Sequence, residues 1–505
     1  MDERFLMVIV VIGLIMLIWD CIEVGRNDAA NLVNAVFGSR VLARNTAVMV
    51  AGVAVILGAT FASPVMETAR KGIFNPALLT VQAAMVVYIT AYIVDTVLLH
   101  TYSAFGMPVS TTASLVFELV GASAAVAWLS GVGQQVVHWD KVGTVISAIV
   151  ISILISGIAG WMMQRMFRGA IRQQPPAPLQ VMQHGPWIAG LMFSGLSWFL
   201  IIKGLKHVSF IKKMKEATLD EVGPVVMLLL MWAAYTLIIH LWLRFSQEKG
   251  VRNLFRITAI AGMICLSFAF GQNDLANCAS PGLSSLWLYQ NMEAGTAAAT
   301  KITIPMWALF ACGVLMVVGM GSKNAQRVTR AAVNTGSQYD HVALYAPKWC
   351  RRIATLFVKN HDPETELAPP PQRDDDGKRV HFDPLRASVI MSVSASVIAL
   401  ASSSGIPVST TYVTFACVIA TGMADGVMSR GDADRKIGRA IWTVFSWFAG
   451  ALIAMLAAGA VAAVIYKFGY FGLFIGLGGN FLLRILVSRR SAEHEMTFHK
   501  NVPKV

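Results

Sequence analysis

The sequence is poor in charged residues. Only 14% of its 505 residues are Asp, Glu, Lys or Arg, whereas soluble domains contain about a quarter. The mean hydropathy is +0.60, and uncharged apolar runs near the roughly 20 residues that cross a bilayer recur along the chain. The composition therefore excludes an ordinary soluble protein and predicts a multi-pass membrane protein.

Several short functional motifs are also missing from the sequence. No C-x-x-C pair occurs among the six cysteines, no H-E-x-x-H cluster among the ten histidines, and no G-x-x-x-x-G-K-[ST] loop anywhere in the chain. These motifs are typical of metal or redox sites, zinc hydrolases and ATP-driven proteins. Their absence argues against ATP-driven transport, and we predict that the protein is not an enzyme.

The net charge of +13 has a simple explanation in a membrane protein. Lysine and arginine cluster between the apolar runs, which is typical of cytoplasmic loops rather than of a nucleic-acid-binding surface. No small-residue cleavage site follows the first apolar run, so we interpret that run as a retained span and not as a signal peptide. We predict an integral protein of the plasma (inner) membrane that contacts lipid and binds no nucleic acid.

Apolar length and spacing predict an all-α polytopic fold. Two groups of five spans are expected, together with a hairpin of two spans between the groups and one last span. The predicted spans are 5–22, 46–64, 75–99, 108–130 and 142–164, then 187–202 and 222–243, then 254–272, 302–321, 385–402, 407–424 and 439–466, and finally 469–487. A polar linker at 165–185 follows the first group.

Two polar motifs each occur twice, in the same order. The Asn/Asp motif follows an apolar run at Gly25–Asn31 and again at Gly271–Asn277, with Asn, Asp and Asn at matching positions. The Ser/Thr motif, which contains Pro-Val-Ser-Thr-Thr, occurs at Gly106–Thr112 and again at Gly405–Thr411. This order indicates an internal duplication of the chain.

The duplication predicts the domain organisation. Each copy has an odd number of spans and an even number separates the copies, so the second copy is inverted relative to the first. We predict a first transmembrane repeat at 1–164, a linker and hairpin at 165–253, a second repeat at 254–466, and a last span with its tail at 467–505. The second copy is 53 residues longer between its motifs, which we assign to a polar cytoplasmic loop at 321–384, most of it solvated loop or a small extramembrane subdomain and part of it disordered.

The positive-inside rule predicts an external N-terminus and a cytoplasmic C-terminus. In this topology the basic segments at 165–172, 244–256, 323–379 and 430–439, and the tail with Arg489 and Arg490, are all cytoplasmic. The lysine-rich segment Lys203–Lys215 disagrees, because the same topology places it outside.

The two motifs carry different chemistry. Polar residues of this kind often break membrane helices where the backbone lines a cavity, and free helix N-termini suit an anion. Carboxylate and carboxamide oxygens suit a hard cation, which predicts cation ligation by Asn27, Asp28, Asn31, Asn273, Asp274 and Asn277. Hydroxyl donors suit an oxyanion, which predicts anion binding by Ser110, Thr111, Thr112, Ser409, Thr410 and Thr411. The alternative is that the Ser and Thr side chains only bond back to their own helix and that the Asn residues cap helix ends.

The paired motifs resemble those of the inorganic phosphate transporter family, which are secondary carriers that take up phosphate with Na⁺ or H⁺. The resemblance rests on two G-x-N-D-x-A-N signatures, two P-V-S-T-T stretches and a long loop in the second half. It implies an inverted-repeat carrier with broken or re-entrant helices and the anion at the midplane between the repeats. It also implies Na⁺ or H⁺ as the coupling ion, bound beside the anion by the Asn/Asp motifs.

Two positions within the Asn/Asp motifs differ between the copies, namely Arg26 and Gln272. The arginine replaces the small or uncharged residue that is more common in the family. It could bind the oxyanion directly or extend to the cytoplasmic surface. We include Gln272 in the predicted anion site.

Two carboxylates outside the motifs, Asp95 and Glu118, also lie in or near apolar runs. A charge at that depth is costly and is usually functional. These residues could relay protons, or they could pair with a buried polar group such as Tyr92 or His100.

The leading hypothesis is a secondary active transporter that takes up inorganic phosphate with Na⁺ or H⁺ by alternating access. A sulfate permease on the same scaffold, an uncoupled anion channel and a membrane-embedded enzyme are the alternatives. Phosphate is favoured because near neutral pH it carries an O–H that a buried carboxylate can accept, whereas sulfate carries none. We expect no organic cofactor and leave homodimer formation open.

Overall fold

The computed structural model describes residues 3–62, 66, 72–172, 177–205, 210–213, 222–293, 295–298, 302–339, 341–342, 344–358, 372–374, 376–429 and 431–501. Among these residues, nine helices are long and apolar enough to cross a membrane, or ten if one bent pair is counted as a span. The predicted all-α polytopic class is confirmed. The opposite orientation of the two copies remains a prediction.

The helices follow the predicted spans closely. The first copy contains α1 Glu3–Gly38, α2 Arg44–Thr60, α3 Val81–Ala104, α4 Thr111–Ser130 and α5 Trp139–Ala170. Between the copies lies α6 Pro178–Ser197, which continues as the π-helical turn Trp198–Gly204, and α7 Pro224–Asn291 reaches into the second copy. The remaining helices are α8 Met306–Met320, α9 Lys323–Thr335, α10 Lys348–Ala354, α11 Pro384–Ser403, α12 Thr410–Ala424, α13 Ala433–Phe468 and α14 Tyr470–Asn501.

The Asn/Asp motifs do not break their helices, contrary to the expectation from their glycines. Helix α1 runs through Gly25 without interruption, and α7 runs through Gly271. Both glycines are sites of close helix packing, since a Cβ at Gly25 would lie 1.8 Å from the carbonyl oxygen of Met316, and one at Gly271 would lie 2.3 Å from that of Val55. Glycine is required there because a neighbouring backbone occupies the space of a side chain.

The Ser/Thr motifs do break the chain, as expected. Gly106 and Gly405 follow the ends of α3 and α11 with φ of +64° and +69°, a conformation that glycine adopts readily. A proline then comes two residues later in each copy, where it disfavours continuation of the helix. Each motif therefore forms a short turn between two helices, followed by the N-terminus of α4 or α12.

The predicted cytoplasmic loop at 244–256 is absent. Instead α7 reverses direction at Gln247, whose φ of 43° and ψ of −120° are not helical. A Cβ at Gly250 would lie 3.5 Å from the Cα of Leu243, whereas seven residues of straight helix span about 10 Å. The predicted spans 222–243 and 254–272 are thus two helices joined by a sharp turn. In the lysine-rich segment 203–215 before them, residues 206–209 and 214–215 lie outside the described residues.

The segment predicted as a solvated loop or small subdomain at 321–384 contains regular structure, and its first part is packed against the helices. Helix α9 packs against α1, where Ala30, Val328 and Ala332 form a buried apolar cluster. The chain later forms a two-stranded antiparallel sheet of β1 Gln372–Arg373 and β2 Arg379–Val380. Residues 359–371, which include the triple proline, lie outside the described residues.

The end of this segment attaches to the C-terminus of α1. The backbone N–H of His381 donates to the carbonyl oxygen of Gly38 at 2.7 Å, and the His381 ring contacts the Ser337 hydroxyl at 2.9 Å. Burial, reinforced by the positive charges of Arg40 and its neighbours, lowers the pKa of His381 to about 4. The imidazole is therefore neutral at physiological pH.

Candidate functional site

The two Asn/Asp motifs and the two Ser/Thr motifs meet in the interior of the protein. Twelve of the thirteen predicted site residues belong to this central cluster, and each is at most 4% exposed. These residues are Asn27, Asp28, Asn31, Ser110, Thr111, Thr112, Asn273, Asp274, Asn277, Ser409, Thr410 and Thr411. Residues more than 380 positions apart in the sequence are in direct contact here, as in the bond from Thr411 to Asp28.

One asparagine in each copy holds the turn of the Ser/Thr motif from the same copy. Asn27 donates from Nδ2 to the carbonyl oxygen of Val109 at 2.7 Å, and Asn273 donates to that of Val408 at 2.6 Å. A turn at this depth exposes backbone groups that cannot reach water. The two asparagines therefore satisfy the carbonyls that the broken helices leave free.

The carboxylates, in contrast, connect the two copies. Asp28 of the first copy accepts a hydrogen bond from the Thr411 hydroxyl of the second copy at 2.9 Å. Asp274 of the second copy accepts one from the Thr111 hydroxyl of the first copy, also at 2.9 Å. Thr111 also lies 3.4 Å from Asp28, so one hydroxyl contacts both carboxylates.

The second asparagine of each motif completes the cluster. Asn31 and Asn277 follow the aspartates by three residues and lie on the same helix face. Asn31 donates to Asp28 at 3.0 Å and to Thr411 at 2.8 Å. Asn277 donates to Asp274 at 3.0 Å and also contacts Thr111 at 3.1 Å. Each carboxylate is thus surrounded by amide and hydroxyl donors.

The first turns of α4 and α12 lie at this cluster. Ser110 accepts the backbone N–H of Ala113 at 3.0 Å, and Ser409 accepts that of Tyr412 at 3.1 Å, so both serines act as N-caps. In these two contacts the serines bond to their own helices, as the alternative for Ser and Thr expects, and their predicted role in anion binding remains a prediction. The threonines that follow use their hydroxyls in the central cluster instead.

The electrostatic balance of the cluster is unusual for a protein interior. Neither Asp28 nor Asp274 forms an ion pair with a lysine or arginine among the described residues, and every donor to them is neutral. Buried charges without a partner are expensive. The surrounding carboxylate, carbonyl, amide and hydroxyl oxygens form the type of ligand set that hard cations prefer.

Two motif residues lie away from the cluster. Gln272 donates to the carbonyl oxygen of Gly204 at 3.0 Å, because neighbouring side chains on a helix point in different directions. Arg26 pairs with Glu23 through contacts of 2.9 and 3.0 Å. Neither side chain is in contact with the twelve residues of the cluster in the structure.

A second acidic group, which sequence reasoning found only in part, lies beside α1. Asp95 and Glu118 share the hydroxyl of Ser114, and the carboxylate of Asp20 also approaches Asp95. The suggested pairing of these acids with Tyr92 or His100 is not observed. The sequence signal for Asp20 was available, since an acidic residue directly follows a long apolar run, but its partners come from two distant helices.

Residues 24–332, more than half of the chain, match the sequence profile of the phosphate transporter family. The chain belongs to this family. It is therefore a multi-pass integral membrane protein of a transport family and not an enzyme, as predicted.

Named relatives are similar over nearly the whole chain. A protein of Pyrococcus furiosus is 26% identical over 449 residues, which cover 88% of this chain and 92% of that protein. A protein of Thermococcus kodakarensis is 26% identical over 474 residues, which cover 92% and 98%. Both carry the words phosphate permease in their names.

A solved structure shares the fold. The protein described as the sodium-dependent phosphate transporter matches with a TM-score of 0.66 and 20% identity, covering 91% of this chain and all of the solved chain.

Proposed function

We propose that this chain takes up inorganic phosphate together with Na⁺ or H⁺ by alternating access. The observation that carries the proposal is the pair of buried carboxylates, Asp28 and Asp274, which share the Thr111 hydroxyl and have only neutral donors among the described residues. Two negative charges at this depth repel an anion unless positive charge lies between them. An anion can therefore bind here only together with cations or protons.

The Asn/Asp motifs are the proposed cation ligands. One cation would bind between Asp28, Asn31 and the nearby Val109 carbonyl, and a second would bind the matching groups around Asp274. A proton on either carboxylate would neutralise the same charge. The anion would then bind at the N-termini of α4 and α12, where backbone N–H groups and the Ser/Thr motifs offer donors.

The threonine hydroxyls provide a route for coupling. In the structure Thr111 and Thr411 donate to the carboxylates. A cation that binds a carboxylate neutralises its negative charge and weakens the hydrogen bonds from the threonine hydroxyls. The hydroxyls are then free to donate to phosphate. Cation binding would thereby create the donors that the anion needs.

The burial of the cluster supports alternating access. Each of its residues is at most 4% exposed, so neither membrane surface reaches them. An ion can enter only when helices around the cluster separate on one side. The buried carboxylate acceptors also favour phosphate over sulfate, because only phosphate brings an O–H.

The proposal is tested by radiolabelled phosphate uptake into proteoliposomes under imposed Na⁺ or pH gradients. We expect gradient-dependent accumulation that arsenate inhibits and sulfate does not, since arsenate has the same proton pattern as phosphate. Uptake that depends on neither gradient would favour the hypothesis of an uncoupled channel. Equal inhibition by sulfate and arsenate would favour a sulfate permease.

The inverted orientation of the predicted domains is a separate part of the proposal. Single cysteines in place of Arg172, His341 and Arg435 are expected to react with an impermeant reagent only from the cytoplasmic side. His341 is suitable because its side chain is 83% exposed, whereas the nearby Ser337 is buried. Labelling of position 341 from outside contradicts the topology, and crosslinking of detergent-purified protein shows whether it is a homodimer.

A further inference from the structure

A cavity of about 690 Å³ lies between α1, α3 and α14, away from the central cluster. One part of its wall is apolar and consists of Ile15 and Ile18 on α1 and Phe481 on α14. Ile15 is 57% exposed and Phe481 is 63% exposed. Side chains of this type at a helix surface in a membrane protein face hydrocarbon chains.

The other part of the wall is basic. Three arginines line it, namely Arg26 on α1 and Arg484 and Arg489 on α14, together with His100 and Ser488. The apolar sequence of α14 ends just before Ser488-Arg489-Arg490. The basic wall is therefore at the level where the helix leaves the hydrocarbon region of the bilayer.

One buried carboxylate holds the basic wall in place. Glu23 accepts hydrogen bonds from Arg26 at 2.9 Å, from Arg484, and from the indole N–H of Trp19 at 3.2 Å. The Arg484 guanidinium also lies 4.0 Å from the centre of the Trp19 ring. These contacts fix both guanidinium groups before any ligand binds, which lowers the entropic cost of binding.

The positive charge of the cavity exceeds the negative charge. Three arginines line the cavity, two of them are bonded to Glu23, and the buried Nε of Arg26 has no hydrogen-bond partner among the described residues. Guanidinium groups bind phosphate oxygens strongly and in a planar, two-point geometry. The cavity thus combines a site for a phosphate group with an apolar wall that is open to the membrane.

We propose that this cavity binds an anionic phospholipid, with the headgroup phosphate at Arg26, Arg484 and Arg489 and an acyl chain along Ile15, Ile18 and Phe481. Basic pockets between membrane helices are known to bind anionic headgroups. A free phosphate ion would satisfy the arginines but leave the apolar wall unused. The lipid satisfies both, and it would contact α1, the helix that also carries Asp28.

The test counts retained lipids by native mass spectrometry of the full-length protein. Phosphatidylglycerol and phosphatidylcholine with identical acyl chains are added separately at equal concentration. We expect preferential retention of phosphatidylglycerol, and a loss of about fivefold in its affinity in Arg489→Gln, because one basic side chain at an anionic headgroup contributes about that much. Arg489 is exposed, so this variant is expected to fold.

Arg490→Gln is the matched control. It removes the same charge from the adjacent residue, which does not line the cavity, and it is expected to retain phosphatidylglycerol like the parent protein. An equal loss of phosphatidylglycerol affinity in the two variants would show only a general attraction of the lipid to the basic surface. It would overturn the proposed binding site. Equal retention of the two lipids would overturn it as well.

Two further results also contradict the proposal. Displacement of the lipid by glycerol phosphate as efficiently as by short-chain phosphatidylglycerol would mean that the apolar wall is not used. A change in the monomer–dimer ratio of Arg489→Gln, without a change in lipid retention, would mean that a second copy of the chain covers this surface.

Discussion

The two copies of the duplicated unit agree at their centre and differ in their flanks. At the centre, each aspartate accepts a 2.9 Å hydrogen bond from a threonine of the other copy. In the flank of the first copy, Asp20, Asp95 and Glu118 come together. The second copy has Leu266, Ser394 and Cys417 at the matching positions, none of which is acidic.

This difference distinguishes the central carboxylates, which both copies supply, from the acidic flank, which only the first copy contains. Each copy supplies one carboxylate at the centre, and we expect that each has a role that the other cannot replace. Three carboxylates in one buried flank cannot all be ionised without positive charge nearby. The first flank therefore needs a proton, a bound cation or a neighbouring guanidinium such as that of Arg484 to balance its charge, whereas the second flank has no carboxylate at these positions.

The largest effect is expected from Asp28→Asn and Asp274→Asn. Each change keeps the side-chain shape but removes the charge that attracts the cation, so each alone should lower gradient-driven phosphate uptake by about 100-fold or more. Uptake assays on protein matched for membrane insertion test this. Asp376→Asn, in an exposed turn, serves as the control, and full activity in either central variant contradicts the equivalence of the two copies.

A smaller effect is expected from the flanks. Glu118→Gln should flatten the dependence of phosphate uptake on pH between about 5.5 and 8.5, with changes of about tenfold at the alkaline end, because it removes one group that can share a proton. Ser394→Ala alters the neutral flank and should leave the profile unchanged. Parallel pH profiles in both variants would show that the acidic flank takes no part in coupling.

The two motif glycines should respond alike, in stability rather than in transport. Gly25→Ala and Gly271→Ala force a Cβ into a neighbouring backbone, which costs about 1–3 kcal/mol by overpacking. Gly143→Ala, in a helix with open space around it, should be neutral or slightly stabilising. Thermal unfolding in detergent separates these outcomes, and unchanged melting temperatures for both motif variants would rule out the close packing.

The smallest effect concerns the insertion, which only the second copy contains. The pKa of His381 is about 4 in the folded protein and about 6.5 when unfolded. As pH falls from 6.5 towards 4, only the unfolded segment gains a proton, so the attachment to α1 loses stability, by up to ~2 kcal/mol at pH 5. Hydrogen exchange of residues 376–382 at pH 7.5 and pH 5, after correction for the intrinsic rates, measures this loss. His381→Gln should remove the dependence, and an unchanged pH effect in that variant would assign it to other groups.

Much of the central cluster could be predicted from the sequence because the duplication placed the same residue types in the same order twice. The duplicated motifs predict that these twelve residues lie at one site, and the structure brings them together in the central cluster. Gln272 was misassigned because membership of a motif says nothing about helix phase, and its side chain points to Gly204 instead. Residue type predicted the chemistry, whereas helix geometry decided which residues take part.

Other features could not be inferred from local patterns. A glycine before a polar motif looks the same whether it breaks a helix or allows two helices to touch, and only the position of Met316 shows which applies at Gly25. The same is true of Gln247, where the chain turns at a residue that is neither Gly nor Pro. The contact of Asp20 with Asp95 depends on helix packing, which leaves no periodic signal in either segment.

The packing of Gly25 and Gly271 bears on how the protein can move. Helix α1 of the first copy is pressed against α8 of the second, and α7 of the second against α2 of the first. Contacts this close between backbones allow sliding but resist separation. The rigid bodies that rock against each other would then each combine helices from both copies, so the ancestral duplication unit and the mechanical unit of this transporter are different sets of helices.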